Sequence, residues 1–236
     1  MYRRIGSGFC GTVWAADQGS SDTTAIKRED GGPGRSLHND YTMHKEILYH
    51  LVPSIPHLRI PVCHQYLSRQ DPLWDELTLK FPQPFQVPCN SLITERIPPF
   101  PQEVRERIID EYCPNELKAS IKSSEPDRDC LVRPYLGRRR LPPRTSETSG
   151  KTRFQPFSLR NYPLHIDRIE DLGLDSTLYA KIMAHTLANI YWKANIDAND
   201  IEFVLASPSS NAPSSDIIRS KFLGVKLGQS QPIEAA

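Results

Sequence analysis

The feature that most constrains this chain is its opening, Ile5-Gly6-Ser7-Gly8-Phe9-Cys10-Gly11-Thr12-Val13-Trp14, followed after a polar turn by Ala25-Ile26-Lys27. Glycines at this spacing let backbone N–H groups approach an anion with no Cβ in the way. A similar spacing marks a dinucleotide-binding turn, but there a helix follows the glycines. Here Thr12-Val13-Trp14 is a β-type run, and Asp17-Gln18-Gly19-Ser20-Ser21-Asp22 is a polar, Gly-containing turn. The context therefore predicts a β-hairpin. An apolar-apolar-Lys strand beside it adds an ammonium group, and together the two predict a phosphate-covering hairpin with a phosphate-gripping lysine. The alternative, even with the lysine included, is a Gly-rich hairpin that is architecture alone.

At 236 residues the chain can bury a core as one domain or as a two-lobed unit. A net charge of +1 gives no whole-chain field directed at nucleic acid or membrane. No apolar run reaches the ~18 residues of a membrane span. Met1-Tyr2-Arg3-Arg4 also lacks a signal-peptide core. We therefore expect a cytoplasmic or nuclear address and no membrane partner. The 21 prolines, about twice the usual share, predict many irregular connections. Cys10, Cys63, Cys89, Cys113 and Cys130 include no C-x-x-C pair and fit reduced thiols. Cys63 and His64 with one of His38, His44, His50 or His57 do not have finger spacing, so zinc is not expected.

Residues 1–97 read as a small β-rich region with one helix over Asn39 to Leu51, whose apolar positions are Met43, Ile47 and Leu51. Asp40 and Glu46 on that helix are both candidates to hold the Lys27 amine. Leu77 to Phe81 and Ser91 to Ile97 alternate as strands, and Pro98-Pro99 stops the second. Gln102 to Tyr112 is an amphipathic helix ending at Cys113-Pro114. Residues 115–160 read as mostly irregular apart from a strand at Cys130 to Gly137, and 206–236 as an irregular tail. Arg138-Arg139-Arg140 and the following Pro/Ser/Thr stretch form a solvated loop, with nuclear import or a phosphate contact as its functional alternative.

A second landmark starts with the helix at Tyr179 to Trp192, which carries Ile182, Leu187, Ile190 and Tyr191. It leads into Asp197-Ala198-Asn199-Asp200-Ile201-Glu202-Phe203-Val204-Leu205. A long helix, a turn, an aspartate, and then a polar residue entering an apolar strand resembles the H-R-D-L-x-x-x-x-N loop of protein kinases. The resemblance implies an α+β, protein kinase-like two-lobed fold, with a β-rich small lobe at 1–97 and an incomplete, mostly helical large lobe at 98–205. ATP and Mg²⁺ are the cofactors it implies. Gly6, Gly8, Gly11 and Val13 would cover the nucleotide, with Lys27 touching its phosphates. The backbone of Glu95 to Ile97 would meet an adenine edge, Asp197 would orient the acceptor hydroxyl, and Glu202 would hold Mg²⁺ through oxygen.

The chain also resembles a family of filamentous fungi described as a domain of unknown function and often labelled a zinc finger protein. Glu95-Arg96-Ile97-Pro98-Pro99-Phe100-Pro101, the run from Asp129 to Arg140, Ser158 to His165 and Asp197 to Leu205 carry that likeness. Two departures from the kinase pattern stand out. Asn195-Ile196 replaces His-Arg, and Glu202 replaces the metal-binding asparagine. No aspartate ends an apolar strand after Leu205, the last one being Asp216. We expect the reading frame to be cut short after about Gly224, leaving the Leu178 to Trp192 helix with an apolar face for a protein partner. The expected function is a nucleotide-binding or protein-interaction module with little or no phosphotransferase activity. The alternatives are an active ATP-dependent phosphotransferase and a nucleic-acid-associated regulator using Arg138 to Arg140.

Overall fold

The computed structural model describes residues 1–17, 22–32, 36–51, 55–140, 157–206 and 222–227. The fold is mixed α+β, and the chain packs as two units. The first holds Met1–Ile97 and Ile182–Glu202, and the second holds Pro98–Lys181 and resumes at Phe203. The segment 182–202, which the sequence grouped with 98–205, belongs to the first unit. Asp200, in the turn after its helix, lies within electrostatic range of Asp40.

In the first unit, β1 (Tyr2–Gly8) and β2 (Gly11–Ala16) form a hairpin, followed by β3 (Thr24–Arg28), α1 (Leu37–His50), β4 (Leu58–Arg59), β5 (Cys63–Leu67), α2 (Trp74–Leu77) and β6 (Ser91–Glu95). The five-stranded sheet runs β1-β2-β3-β6-β5, antiparallel at every pairing. The register steps from Arg4↔Trp14 to Gly6↔Val13, so Ile5 bulges and twists the hairpin. Period-two alternation gives the sheet two working faces. Ile26 points with Trp14 and Ala16 into a core completed by Tyr2, Leu67, Trp74, Leu77 and Phe81. Lys27, one position on, emerges on the other face. There its cross-strand partner Leu92 packs with Cys10, Leu37 and Cys63.

Leu77 to Phe81 is not a strand. Trp74–Leu77 is helical and continues as a 3₁₀ turn over Thr78–Lys80. Trp74, Leu77 and Phe81 repeat at three and four residues, and all three are buried, whereas Leu79, which alternation would bury, is 71% exposed. Helical spacing suits this segment because its apolar residues cap one face of the sheet. Phe81 meets Tyr2 at 5.0 Å and Trp14 at 5.4 Å between ring centroids. The Arg28 guanidinium lies 4.5 Å from the Phe81 ring and 5.3 Å from Trp74, and donates to the Val87 carbonyl at 2.7 Å.

The second unit contains α3 (Gln102–Tyr112), α4 (Asn115–Lys122), a 3₁₀ turn (Glu125–Asp129), β7 (Val132–Tyr135), β8 (Tyr162–His165) and α5 (Ile166–Asp171). They are followed by α6 (Ser176–Trp192), which runs on into the first unit, and by β9 (Ile201–Ala206) and β10 (Phe222–Leu227). β7 pairs in parallel with β8 and antiparallel with β9, and β10 lies beside β9. The described residues between 115 and 160 are thus more regular than expected. Half-buried Leu117 and Ile121, four residues apart, give α4 an inner face, while Lys118 and Lys122 reach back to the Asp110 carbonyl and carboxylate, each at 2.7 Å. Buried Asp127 accepts from the Ser158 hydroxyl at 2.8 Å and the Leu159 N–H at 2.6 Å, tying the 157–159 segment to the 3₁₀ turn. The expected irregular tail contains β10, because Phe222 to Leu227 has one polar residue and finds β9 as its neighbour. The loop at 141–152 and Asp216 lie outside the described residues. No helix among the described residues is long and apolar enough to cross a membrane.

Truncating Phe81 removes the ring on which Tyr2, Trp14 and Arg28 all rest. Phe81→Ala should cost about 3–5 kcal/mol in urea unfolding. A cost below about 1 kcal/mol would show that this cluster does not carry the first unit's stability.

Candidate functional site

Lys27 Nζ donates to Asp40 Oδ2 at 2.5 Å. The aspartate side chain is 2% exposed and the lysine 24%, so the acid is sealed while the ammonium reaches the edge of the sheet. The placement of α1 sets this distance. Glu29, just past β3, accepts the Leu37 N–H at 2.7 Å and so caps the helix with a carboxylate. Asn90 holds the cap in place, donating its side-chain amide to Glu29 at 3.1 Å and accepting the Glu29 N–H at 2.8 Å. Ser36, in the N-cap position, reaches Asn39 N–H at only 3.5 Å, a weak contact. Asp40 sits one turn into the helix and faces β3. Glu46 lies 3.5 Å from His50 instead, so of the two candidate acids Asp40 is the one that meets Lys27.

Burial raises the Asp40 pKa, against the pull of Lys27, and the charges of Asp200 and Glu29 add to the rise. Its second oxygen, Oδ1, is buried with no hydrogen-bond partner. The pair therefore holds a partly compensated charge on the face that carries α1.

The three glycines of the hairpin do different jobs. Gly11 has φ +141°, and a Cβ there would lie 2.1 Å from the Arg28 carbonyl oxygen. A Cβ on Gly31 would in turn lie 2.5 Å from the Gly11 nitrogen, so hairpin and post-β3 segment press backbone to backbone. Gly8 has nothing within 4 Å of such a Cβ, and Gly6 makes only ordinary contact with Val13 at 3.5 Å. The hairpin also already holds an anion of its own. Asp30 accepts the Thr12 N–H at 2.8 Å and the Thr12 hydroxyl at 2.7 Å. Cys10 turns inward beside Leu37 and Leu92, while Phe9 at the tip is 66% exposed.

Of the three N–H groups expected to face an adenine edge, two are committed to protein. Glu95 N–H donates to the Val62 carbonyl and Arg96 N–H to the Thr23 carbonyl, both at 2.8 Å. The Glu95 carboxylate is engaged as well, by Arg59 and by the Val62 N–H at 3.1 Å. The expectation for this segment narrows to Ile97, because the end of β6 remains bonded on both sides.

After α6, Ala194 N–H bonds the Asn189 carbonyl at 3.2 Å, a six-to-one bond that closes a helix C-terminus. The chain then turns through Asn195, whose φ of +53° is left-handed, and Ile196 N–H returns to the Ile190 carbonyl, also at 3.2 Å. Ile196 is 2% exposed, so the two residues that replace His-Arg serve helix termination and core. Asp197 accepts the Tyr191 hydroxyl at 3.0 Å, the Asn199 N–H at 3.0 Å and the Asn199 side-chain amide at 2.8 Å. Its bond to Asp197 raises the Tyr191 pKa. Glu202 lies half-buried on β9. Among the described residues no three His, Cys, Asp or Glu side chains gather to hold a metal ion. Sequence reasoning missed Glu29 and Asp30, whose only signal was a short acidic run between a strand and a helix, and Asn90, which had none.

Because folding raises the Asp40 pKa, the native state binds that proton more tightly than the unfolded chain. The stability Asp40 contributes is complete below the unfolded value near ~4 and is lost as pH rises through the folded value. Wild-type stability relative to Asp40→Asn should therefore fall as pH rises from ~4 toward neutrality, and more steeply in a Lys27→Ala background. Denaturant midpoints across that range test it, and a flat or rising difference contradicts the assignment. Separately, Gly11→Ala should cost about 1–3 kcal/mol or more through backbone strain, while Gly8→Ala should stay within about 0.5 kcal/mol. Equal costs in thermal unfolding would show that the hairpin is not pressed on Gly31.

No family model, curated protein or solved structure matches the chain, and the chemistry of this site is carried by the geometry of its own residues.

Proposed function

We propose that this chain is a kinase-like module that binds the phosphates of a nucleotide at Lys27 and performs little or no phosphoryl transfer. The Lys27–Asp40 pair carries the reading. A lysine on the third strand of the sheet β1-β2-β3-β6-β5 is held at 2.5 Å by an acid on the following helix, beside a Gly-rich hairpin. That arrangement suits an ammonium presented to phosphate oxygens, with the open space at Gly8 allowing a close approach.

Other residues support binding without turnover. An ionised carboxylate offers about four lone-pair sites, and Asp197 already accepts three hydrogen bonds. An acceptor hydroxyl would have to compete with Tyr191 and Asn199 for it. Two N–H groups at the end of β6 are likewise committed, which favours recognition of the phosphates over recognition of the base. ATP, when bound, would supply the phosphate charge that Lys27 neutralises. The chain's own residues hold that ammonium and keep its counter-ion buried.

Calorimetric titration with ATP, with and without Mg²⁺, tests the proposal. Wild type should bind, and Lys27→Ala should lose at least about tenfold in affinity, as expected for one charge-assisted hydrogen bond. Folded wild-type protein that binds no ATP, or Lys27→Ala that binds equally well, would overturn it. Phosphate release above the level of Asp197→Asn would overturn the absence of turnover.

A further inference from the structure

Arg168 lies in the second unit and is 6% exposed, yet no carboxylate pairs with it among the described residues. The reason lies in α5. Asp167 and Glu170 share one side of this short helix, where Arg140 and Arg139 take them. Arg139 holds Glu170 through two bonds of 2.7 and 2.9 Å. Arg168 turns inward with Ile169 and finds rings instead of acids. Its guanidinium carbon lies 4.1 Å from the centre of the Tyr112 ring and 5.4 Å from that of Tyr162. Two donors there lack acceptors, since Arg168 Nε and the Tyr162 hydroxyl are both buried without a hydrogen-bond partner.

Burial, reinforced by the nearby charge of Arg140 and opposed by that of Asp171, lowers the Arg168 pKa to about 10, so the group stays charged at neutral pH. A trapped water could satisfy the two donors but would leave the guanidinium without an ion-pair partner. A guanidinium carbon lying over a ring can still donate through the N–H groups in its own plane.

We propose that Arg168, held between Tyr112 and Tyr162, anchors an oxyanion site whose ligand is a phosphate group, either inorganic phosphate or a simple phosphate monoester. The planar fork of the guanidinium matches two phosphate oxygens, and the Tyr162 hydroxyl supplies a further donor. Lys27 belongs to the other unit.

Thermal unfolding and calorimetry of the full chain test this, with inorganic phosphate and glycerol phosphate each compared with chloride at matched ionic strength. Wild type should show a saturable rise in melting temperature with phosphate, and the monoester arm shows whether the site accepts a substituted phosphate. Arg168→Lys keeps the charge but loses the fork, and it should weaken phosphate binding at least about tenfold. Tyr162→Phe keeps the ring and should also weaken it, and both losses should persist in a Lys27→Ala background, where the phosphate contact proposed at Lys27 has been removed. Wild type that responds to phosphate no more than to chloride would overturn the proposal. So would a response that both Arg168→Lys and Tyr162→Phe retain in full.

Discussion

Four consecutive residues, Arg28-Glu29-Asp30-Gly31, form the joint on which the first unit depends. Arg28 ends β3 and runs into the aromatic core over Phe81. Glu29 caps α1, and Asp30 grips the hairpin at Thr12. Gly31 lets the two backbones touch. Each residue points a different way because the strand has just ended and the chain is free to turn. Hydrogen bonds to charged groups contribute roughly 1.5–3 kcal/mol each, so the joint is stiff for its length. The Lys27–Asp40 distance is a consequence of it, since the capping carboxylate fixes where α1 begins and Asp40 follows three residues after Leu37.

The buried charges of the molecule are resolved in different ways. Arg28 lies 3.4 Å from Asp30 and donates to a carbonyl, so its charge is shared locally. Asp40 has Lys27, but burial together with Asp200 and Glu29 works against its ionised form. The balance has a direction, because a cation or a proton near Asp40 is favoured and a further anion must be met by Lys27. The asymmetry in exposure, 24% for the lysine and 2% for the aspartate, gives a ligand access to the ammonium alone. Arg168 has aromatic faces and the charge of Asp171 within range, but no ion-pair partner among the described residues. An aromatic face attracts a cation less strongly than a buried carboxylate does, which makes that position the least compensated of the three.

Much of the first unit was legible because its elements are coded by short-range pattern. Gly11 and Lys27 announce the hairpin and β3, and the Met43, Ile47, Leu51 spacing announces α1. What failed were segments whose apolar residues fit two periods at once. Leu77, Leu79 and Phe81 alternate as a strand does, yet Trp74, Leu77 and Phe81 also repeat as a helix does, and only the presence of a sheet face to cover decides between them. The β5 strand, Cys63-His64-Gln65-Tyr66-Leu67, has buried residues only at its ends and gave no signal of its own. Glu29 and Asp30 carry no signal in the sequence beyond being two adjacent acids. Their roles come from contacts 8 and 18 residues away, with Leu37 and Thr12 respectively. Arg168 was invisible for the same reason, because its neighbours Tyr112 and Tyr162 become neighbours only when α3 and β8 pack.

The turn after α6 shows how one sequence pattern can satisfy two physical demands. A helix that must stop and hand over to a strand needs a residue tolerant of left-handed φ, an apolar residue to re-enter the core, and a short acceptor to catch exposed N–H groups. Asn195, Ile196 and Asp197 meet those needs in order. Asn tolerates that conformation better than most residues, and an aspartate commonly bonds the N–H two positions on. An acid placed after a long helix therefore has a local reason to exist before any chemistry is asked of it. What a purely structural turn does not require is Asp200 within reach of Asp40's charge, since its carboxylate raises the cost of ionising a buried acid already opposed by desolvation. That charge arrangement, more than the resemblance of the loop, links the turn to the Lys27 face.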